Sequence, residues 1–378
     1  MEQAASLDID ISQTQGMRDK LSYRPFAIFW LLASLIWSVA TVAMSYHYVD
    51  QQARDALQDA ADNATTALND AYLGLSGNIR DLHATPATVA RIESVQRVLE
   101  HFAQHPVSPA LSVGEAQTQI GLARVGGVNE SLASIASQKH SMGVIWLISK
   151  NGRAVAASNA DTSESFVGTD YSDREYFKAA IEGRNGSQFA VGRVSNMPGL
   201  FFSAPVTSNG EIVGVVAGKI SLDFLTHWAN QSNAIITDEN GVVISAKDKS
   251  LVMKVVPDGA AKAMSRDYLV NRYKRTSFDE ISIRPFESAI VQSIAEGFGL
   301  DEFGGLVTFG ATGKPLLIAS KSIDDELINI STVQPVDAVK SLLQDIILVA
   351  LVGCLFGGFL IATITNLVYW YLDRQLAV

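Results

Sequence analysis

Cysteine is nearly absent from this chain of 378 residues, and charged residues make up only 18% of it. The single cysteine, Cys354, lies inside an apolar run, so no disulfide can form within the chain. An excess of positive charge is also missing, because Asp and Glu outnumber Lys and Arg by 39 to 29, which gives a net charge of −10. This balance argues against nucleic acid as a partner, since phosphate backbones attract basic surfaces.

Catalytic and metal-binding motifs are scarce as well. The sequence contains no convincing nucleophile–base pair, phosphate loop or metal cluster, so we expect neither a cofactor nor enzymatic activity in this chain. His101 and His105 have the i, i+4 spacing that can bind a metal on a helix, but no third ligand is near them in sequence. GLDEFGG at 299–305 superficially resembles the GG[D/E]EF signature of diguanylate cyclases, but Gly-Leu precedes its Asp-Glu-Phe, and we assign it no such role.

Two long apolar runs are the dominant feature of what is present. Residues 25–49 and 346–372 contain no Asp, Glu, Lys or Arg, and each exceeds the roughly 20 residues that cross a bilayer core as a helix. We therefore predict transmembrane helices over 25–49 and 345–372. A cleaved signal peptide is the alternative for the first run, but this run is longer than a typical signal core and no clear A-x-A site follows it. The second run carries a G-x-x-x-G packing motif, Gly353 to Gly357.

Basic residues beside these runs indicate their orientation. Arg18, Lys20 and Arg24 precede the first run, and Arg374 follows the second. Because positive charge favours the cytoplasmic side, we predict cytoplasmic tails at 1–24 and 373–378 and an outside location for the segment between the spans. In a bacterium, this two-pass chain would lie in the inner membrane with its large domain in the periplasm.

Apolar and small residues recur at steps of three and four after the first run, which is the spacing of a helix. They are Val49, Ala53, Leu57, Ala61, Ala64, Leu68, Ala71, Leu75, Ile79 and Leu82. We predict a stalk helix over 46–83 that continues the first span and is on the order of 57 Å long. Its small residues suit close packing, either on a partner stalk in a homodimer, which we favour, or on its own domain.

An order of strands, turns and helices occurs twice after residue 140. The first copy has strands at 143–149, 153–158, 188–195, 200–207 and 212–221, with a helix near 170–183. The second has strands at 234–238, 242–246, 306–310, 315–323 and 327–333, with helices near 258–298. Each copy opens with an Asn-Gly turn between apolar strands, a strong hairpin signal. We predict an α+β fold with two lobes, 84–228 and 229–340, each with a five-stranded antiparallel sheet.

A long stalk, two such lobes and flanking spans together resemble the double Cache sensor family, which has a PAS-like fold. GTDYSDREYFKAAIEG at 168–183 resembles that family's signature at the helix beside the ligand pocket. GLFFSAPVTSNGEIVGVVAGKISLDFLTHW and AIITDENGVVIS are similar to sensor regions of C4-dicarboxylate sensor histidine kinases. The resemblance implies that the first lobe is membrane-distal and binds a small anionic metabolite, a carboxylate or an amino acid, with a C4-dicarboxylate as one candidate. The second lobe would be membrane-proximal.

Arg174 is the leading site candidate. In the predicted helix, Arg174 and Tyr176 flank the apolar stripe in the first turn, and Ser172 or Asp173 caps that turn. The planar guanidinium matches a carboxylate in bidentate geometry, and the helix N-terminus adds a positive dipole, so an anion site is sensible there. The alternative is an arginine in a surface ion pair, which contributes little.

Lys219 is the second candidate, because it interrupts an otherwise apolar strand. Its side chain lies either near a solvated strand end or in a cavity, where a buried ammonium needs an anionic partner. The matching strand of the dicarboxylate sensors carries a ligand-binding lysine, and the resemblance implies that role for Lys219. A carboxylate held between Arg174 and Lys219 would suit a diacid. Trp146 and Phe202 are pocket walls or plain core. The predicted ligand-binding set is Asp173, Arg174, Tyr176, Arg193, Ser195, Ser203 and Lys219.

Six residues, DRQLAV, follow the second run. We therefore expect either a fragment of a larger receptor or a chain that docks a separate cytoplasmic partner. The expected output is a histidine kinase, with a diguanylate cyclase second. The alternative function is a non-sensing membrane scaffold or accessory subunit that uses its lobes for protein contacts. Cations that point into a cavity favour the sensor, and a closed apolar pocket favours the scaffold.

Overall fold

The computed structural model describes residues 23–123, 125–138, 142–286, 305–309, 313–323 and 327–375. The chain divides into two compact units, one of residues 1–55 with 338–378 and the other of residues 56–337. Arg18 and Lys20, on which the predicted orientation partly depends, lie outside the described residues, as does nearly all of the segment at 299–305.

Two helices are long and apolar enough to cross a membrane. Helix α1 is Arg24–Val89, and the last helix, α8, is Asp337–Gln375. Almost none of the apolar stretch of either helix is buried within the chain. Both predicted spans lie within these helices. The stalk continues the first span without a break, as predicted, but α1 runs past Pro86 and ends six residues later than expected.

The two membrane-length segments pack on each other within the first unit. The indole nitrogen of Trp37 donates to the carbonyl of Gly353 at 3.0 Å, and that of Trp30 donates to the carbonyl of Gly358 at 3.4 Å. A Cβ on Gly357 would lie 1.7 Å from Trp37 Nε1, and one on Gly353 would lie 2.6 Å from Thr41. The G-x-x-x-G motif is therefore occupied by the chain's own first span.

Gly357→Val is expected to separate the two segments, because the new side chain has no room beside Trp37, and overpacking costs about 1–3 kcal/mol. Gly358→Val is the matched control, since a Cβ at that position meets nothing within 4 Å. Proximity is measured by cross-linking the native Cys354 to a Ser38→Cys variant, because Cys354 Sγ lies 3.9 Å from the carbonyl of Ser38. Equal cross-linking in both glycine variants would show that Trp37 does not hold the segments together.

The apolar stripe of α1 packs on its own chain. Nine of the ten predicted stripe residues are buried, and Ala61 is half-buried. In the second unit, the Thr332 hydroxyl donates to the carbonyl of Ala64 at 3.0 Å, and the ring centroids of His83 and Phe202 lie 5.0 Å apart. Of the two predicted alternatives, packing on its own domain accounts for this stripe. A dimer would have to use another face, where Leu73 is 68% exposed.

The first lobe begins with three short helices and contains a five-stranded antiparallel sheet in the order β2-β1-β5-β4-β3, as predicted. The helices are α2 Glu93–Gln104, α3 Val113–Leu122 and α4 Gly126–Gln138. The strands are β1 Met142–Ser149, β2 Ala154–Ala157, β3 Gly186–Val191, β4 Pro198–Ser208 and β5 Glu211–Ile220. Helix α5, Glu175–Ile181, lies between β2 and β3. The prediction that Arg193 and Ser195 share a strand is wrong, because β3 ends before them and the chain turns at Asn196 with φ of 52°.

The second lobe contains a six-stranded antiparallel sheet in the order β7-β6-β11-β10-β9-β8. Its strands are β6 Ala234–Asp238, β7 Val243–Ala246, β8 Ile283–Pro285, β9 Leu306–Phe309, β10 Leu316–Ile323 and β11 Ile328–Pro335. Helix α6, Asp223–Gln231, precedes β6, and helix α7, Arg266–Tyr273, precedes β8. The prediction of five strands is wrong by one, since the edge strand β8 lies where helices were expected. Residues 287–298 of that expected helical region lie outside the described residues.

Candidate ligand-binding site

The segment that precedes α5 carries most of the predicted site. The helix begins at Glu175, so Arg174 is its N-cap residue, with extended backbone and no side-chain capping bond. The predicted capping role of Asp173 or Ser172 is therefore wrong, because the Asp173 carboxylate bonds to other groups instead. Helix α5 has only seven residues, so we base the candidate anion site on side chains rather than on the N-terminus of this helix.

Arg174 is buried, with 2% of its surface exposed. Its guanidinium donates to the carbonyl of Val191 on β3 at 3.0 Å and to the carbonyl of Asn271 on α7 at 3.2 Å. Among the described residues Arg174 forms no surface ion pair, and Glu175 pairs instead with Lys178. Burial lowers the pKa of Arg174, and the nearby Arg193 charge acts in the same direction. The guanidinium still stays charged, because arginine does not lose its proton in proteins.

Asp173 and Arg193 form a partly buried ion pair beside Arg174. Both carboxylate oxygens of Asp173 accept from one Arg193 nitrogen at 2.7 Å, and the Asn271 amide donates to the same carboxylate at 2.7 Å. Arg193 also donates to the carbonyl of Asp170 at 3.0 Å. Burial alone would raise the pKa of Asp173, but the hydrogen bond and charge of Arg193 outweigh it and hold the pKa below its ordinary value. The carboxylate is therefore ionised at neutral pH.

Aromatic rings pack around Trp146 on the face of the first sheet that α5 covers. Trp146 is fully buried and lies 5.1 to 6.2 Å, centroid to centroid, from four other rings. These are Phe166, Tyr171, Tyr176 and Phe201. Tyr176 stacks on Phe201 with centroids 5.4 Å apart and an interplanar angle of 8°. Phe202, by contrast, contacts α1 and is plain core.

Five buried polar atoms near these rings have no hydrogen-bond partner among the described residues. They are Trp146 Nε1, the Tyr171 hydroxyl, the Tyr176 hydroxyl, Gln188 Oε1 and Arg193 Nε. Gln188 pairs across the sheet with Phe201, so its side chain lies on the same face as the aromatic rings. Each such atom costs about 1–3 kcal/mol when left unpaired, and native proteins rarely leave several together. The tryptophan and arginine nitrogens only donate, so an acceptor such as a carboxylate would satisfy them.

Lys219 lies in a cavity of about 370 Å³ that adjoins the rings around Trp146. The lining of this cavity includes Glu164 and Phe166, one of those rings. The Lys219 ammonium donates to the Ser195 hydroxyl at 2.8 Å and to the carbonyl of Met197 at 3.1 Å. Among the residues that the structure describes, no carboxylate forms an ion pair with it. Burial lowers the pKa of Lys219, opposed by the charge of Glu164. A cation paired only with neutral oxygens remains available to an anionic ligand.

The predicted site residues thus form two neighbouring groups. Asp173, Arg174, Tyr176 and Arg193 lie together, whereas Ser195 lies with Lys219 in the adjoining cavity. Ser203 is buried and donates to the carbonyl of Tyr176 at 2.6 Å, so it positions α5.

Sequence reasoning missed two polar residues of this site, Gln188 and Asn271. Gln188 leaves a signal, because it is a polar side chain inside an apolar strand. Asn271 leaves none, since about a hundred residues separate it from Asp173.

The fold consists of two α+β lobes, preceded and followed in sequence by helices of membrane-spanning length. A family model described as a Cache domain matches residues 45–341, and the chain belongs to that family. The match covers α1 from residue 45 onward, both lobes and the first residues of α8. The predicted double Cache architecture is therefore confirmed.

Relatives of this chain include two C4-dicarboxylate transport sensor proteins called DctB. The one from Rhizobium meliloti is 40% identical over 119 residues, 31% of this chain and 19% of that protein. The one from Pseudomonas aeruginosa is 28% identical over 217 residues, 57% of this chain and 31% of that protein. The chain thus spans less than a third of either relative.

A solved structure with a similar fold is the sensor domain of the V. cholerae histidine kinase DctB. It has a TM-score of 0.56 and 19% identity, and the match covers 74% of this chain and 98% of that one.

Proposed function

We propose that this chain is the sensing part of a membrane receptor and that its first lobe binds a small carboxylate. The observation that carries the proposal is the group of five buried polar atoms around Trp146 and Arg193 that have no hydrogen-bond partner among the described residues. Four of these atoms belong to groups that can donate, and Arg174 and Arg193 are positively charged, which together suit an anion. Gln188 Oε1 adds an acceptor for a hydroxyl or amine on the ligand.

The ligand class that we propose is a C4-dicarboxylate. Two relatives are C4-dicarboxylate transport sensors by name. In this chain, the Arg174 group and Lys219 offer positive charge in two adjoining places, as a ligand with two carboxylates requires. Lys219 and Ser195 would hold one carboxylate, and Arg193 with the Tyr176 hydroxyl would hold the other. Asp173 would keep Arg193 in position.

We further propose that the first lobe is membrane-distal and that the second lobe passes the signal to α8. Both termini would be cytoplasmic, and the output would be a histidine kinase, as in the V. cholerae relative, with a diguanylate cyclase second. A homodimer would present the exposed face of α1. The signal requires that the ligand bind one of two conformations more tightly, because equal affinity for both shifts nothing.

Tyr176→Phe separates a binding role from a structural one. The Tyr176 hydroxyl has no hydrogen-bond partner in the part of the chain that the structure describes, so its removal is expected to leave the stability of the chain unchanged or to raise it by up to about 2 kcal/mol. The same change is expected to weaken succinate binding about tenfold or more, because it removes a hydrogen bond to a charged group. Stability is measured by urea unfolding, and affinity by isothermal titration of the full chain in detergent micelles.

Further variants test which positively charged side chains bind the ligand. Lys219→Ala and Arg174→Lys are expected to weaken succinate binding by a similar factor, while Lys178→Ala on the outer face of α5 leaves it unchanged. Butyrate, with one carboxylate, is expected to bind more weakly than succinate, and L-alanine tests the amino-acid alternative. Affinity unchanged in both Tyr176→Phe and Lys219→Ala would remove this site assignment. Failure of all three probes to bind would favour the scaffold function.

A further inference from the structure

A helix of the second lobe completes the candidate site of the first. Helix α7 ends against the segment that carries Asp173 and Arg174, and Asn271 contacts both of them. Its side-chain amide donates to Asp173 at 2.7 Å, and its backbone carbonyl accepts from Arg174 at 3.2 Å. One residue of the second lobe is thus bonded to a carboxylate and to a cation of the first-lobe site.

The next residue of α7 connects this corner to the interior of the second lobe. Arg272 is 4% exposed, and its Nε donates to the carbonyl of Phe189 on β3 at 2.8 Å. On its other side, Arg272 pairs with Glu239 and lies 3.8 Å from the buried Asp238. The strand β3 is therefore held from two sides, at Phe189 by Arg272 and at Val191 by Arg174.

Positive charge exceeds negative charge around Arg174 and Arg193. Desolvation and the charges of these two arginines lower the pKa of Lys274, which directly follows α7, and the charge of Asp173 opposes them. Of the cations Arg174, Arg193 and Lys274, only Arg193 has a direct ion pair among the described residues, and its partner is Asp173. An anionic ligand at Arg193 competes with Asp173 for the guanidinium, and a weakened Asp173 contact changes what Asn271 can bond to.

We propose that Asn271 and Arg272 are positioning residues through which the second lobe reads the occupancy of the first-lobe site. The proposal rests on the proposed function of that site. Binding at Arg193 or Arg174 redistributes the hydrogen bonds of Asp173 and Asn271, and the end of α7 responds. Because Arg272 joins α7 to both β3 and the Asp238 region, the response reaches the second sheet as a small displacement of packed elements.

Hydrogen exchange of the full chain in detergent micelles tests the coupling without any ligand. Asp173→Ala is expected to speed amide exchange in residues 266–273 about tenfold, and Asn271→Ala is expected to do the same. The double variant is expected to exchange no faster than either single one, because both remove the same contact. Val270→Ala, an exposed position on α7, is the control and leaves the effect of Asp173→Ala intact. An unchanged α7 in Asp173→Ala, or independent effects that multiply, would overturn the proposal.

A second arm adds succinate at a saturating concentration. The unmodified chain and Val270→Ala are expected to gain protection both at 186–191 and at 266–273. Asn271→Ala is expected to keep the protection at 186–191 and lose it at 266–273, and persistence at both segments contradicts the proposal. If neither succinate nor L-alanine protects residues 186–191, the proposed function fails, whereas the ligand-free arm still decides whether α7 is coupled.

Discussion

Replacing Arg272 by alanine is expected to lower the free energy of unfolding by about 3–5 kcal/mol, the usual result of breaking a buried ion pair. The side chain is 4% exposed and bonds to the carbonyl of Phe189, the hydroxyl of Tyr268 and the carboxylate of Glu239. Its loss removes the cation that the described residues place beside the fully buried Asp238. Urea unfolding of the full chain in micelles, followed by tryptophan fluorescence, measures the effect.

Two further variants serve as comparisons for Arg272→Ala. Arg272→Lys restores the positive charge without the planar fork and is expected to recover only part of the lost stability. Arg184→Ala breaks the exposed pair with Glu182 and is expected to cost less than about 1 kcal/mol. A loss in Arg272→Ala as small as that in Arg184→Ala would show that the contacts of Arg272 do not stabilise the lobes.

Asp238 is expected to make stability depend on pH in the direction opposite to most carboxylates. Burial raises the pKa of Asp238 to about 6 from 3.8, with Glu239 adding to the shift and Arg272, the Tyr273 hydroxyl and the Val242 amide opposing it. The folded chain therefore binds this proton more tightly than the unfolded chain does. The stability that this provides is complete below pH 3.8 and is lost as the pH rises through 6.

Asp238→Asn isolates this contribution, because asparagine does not titrate and keeps an oxygen for the backbone amides. The free energy of unfolding of the variant, relative to the unmodified chain, is expected to rise by about 2 kcal/mol between pH 4 and pH 7. Asp248→Asn is the control of opposite sign, since its hydrogen bonds with Ser250 lower the pKa of Asp248. A pH-independent difference between Asp238→Asn and the unmodified chain would place the folded pKa near its ordinary value.

Local patterns were enough to predict most of the fold. The absence of charge over 25–49 predicted a membrane-length helix, because a spanning segment must be apolar along its whole length. Asn-Gly between apolar runs predicted both hairpins, and Gly152 and Gly241 adopt φ of +91° and +77° there. Strand β8 was missed because three residues at a sheet edge carry too short a pattern to detect.

Only part of the candidate site could be predicted from the sequence. Arg174 and Tyr176 could be selected because a short motif beside an apolar stripe identifies them. The partners of Arg174 could not, because Val191 and Asn271 lie 17 and 97 residues away.

The sequence by itself determined the two apolar helices, the repeated lobe pattern and the segment that carries the site, because periodicity, turn chemistry and hydropathy act over a few residues. Only the tertiary structure decided that the stripe of α1 packs on its own chain, that Lys219 lies in an adjoining cavity, and that Asn271 joins the lobes. These contacts depend on which buried polar groups meet once distant segments fold together, and a buried group bonds to whatever partner the packing brings within reach.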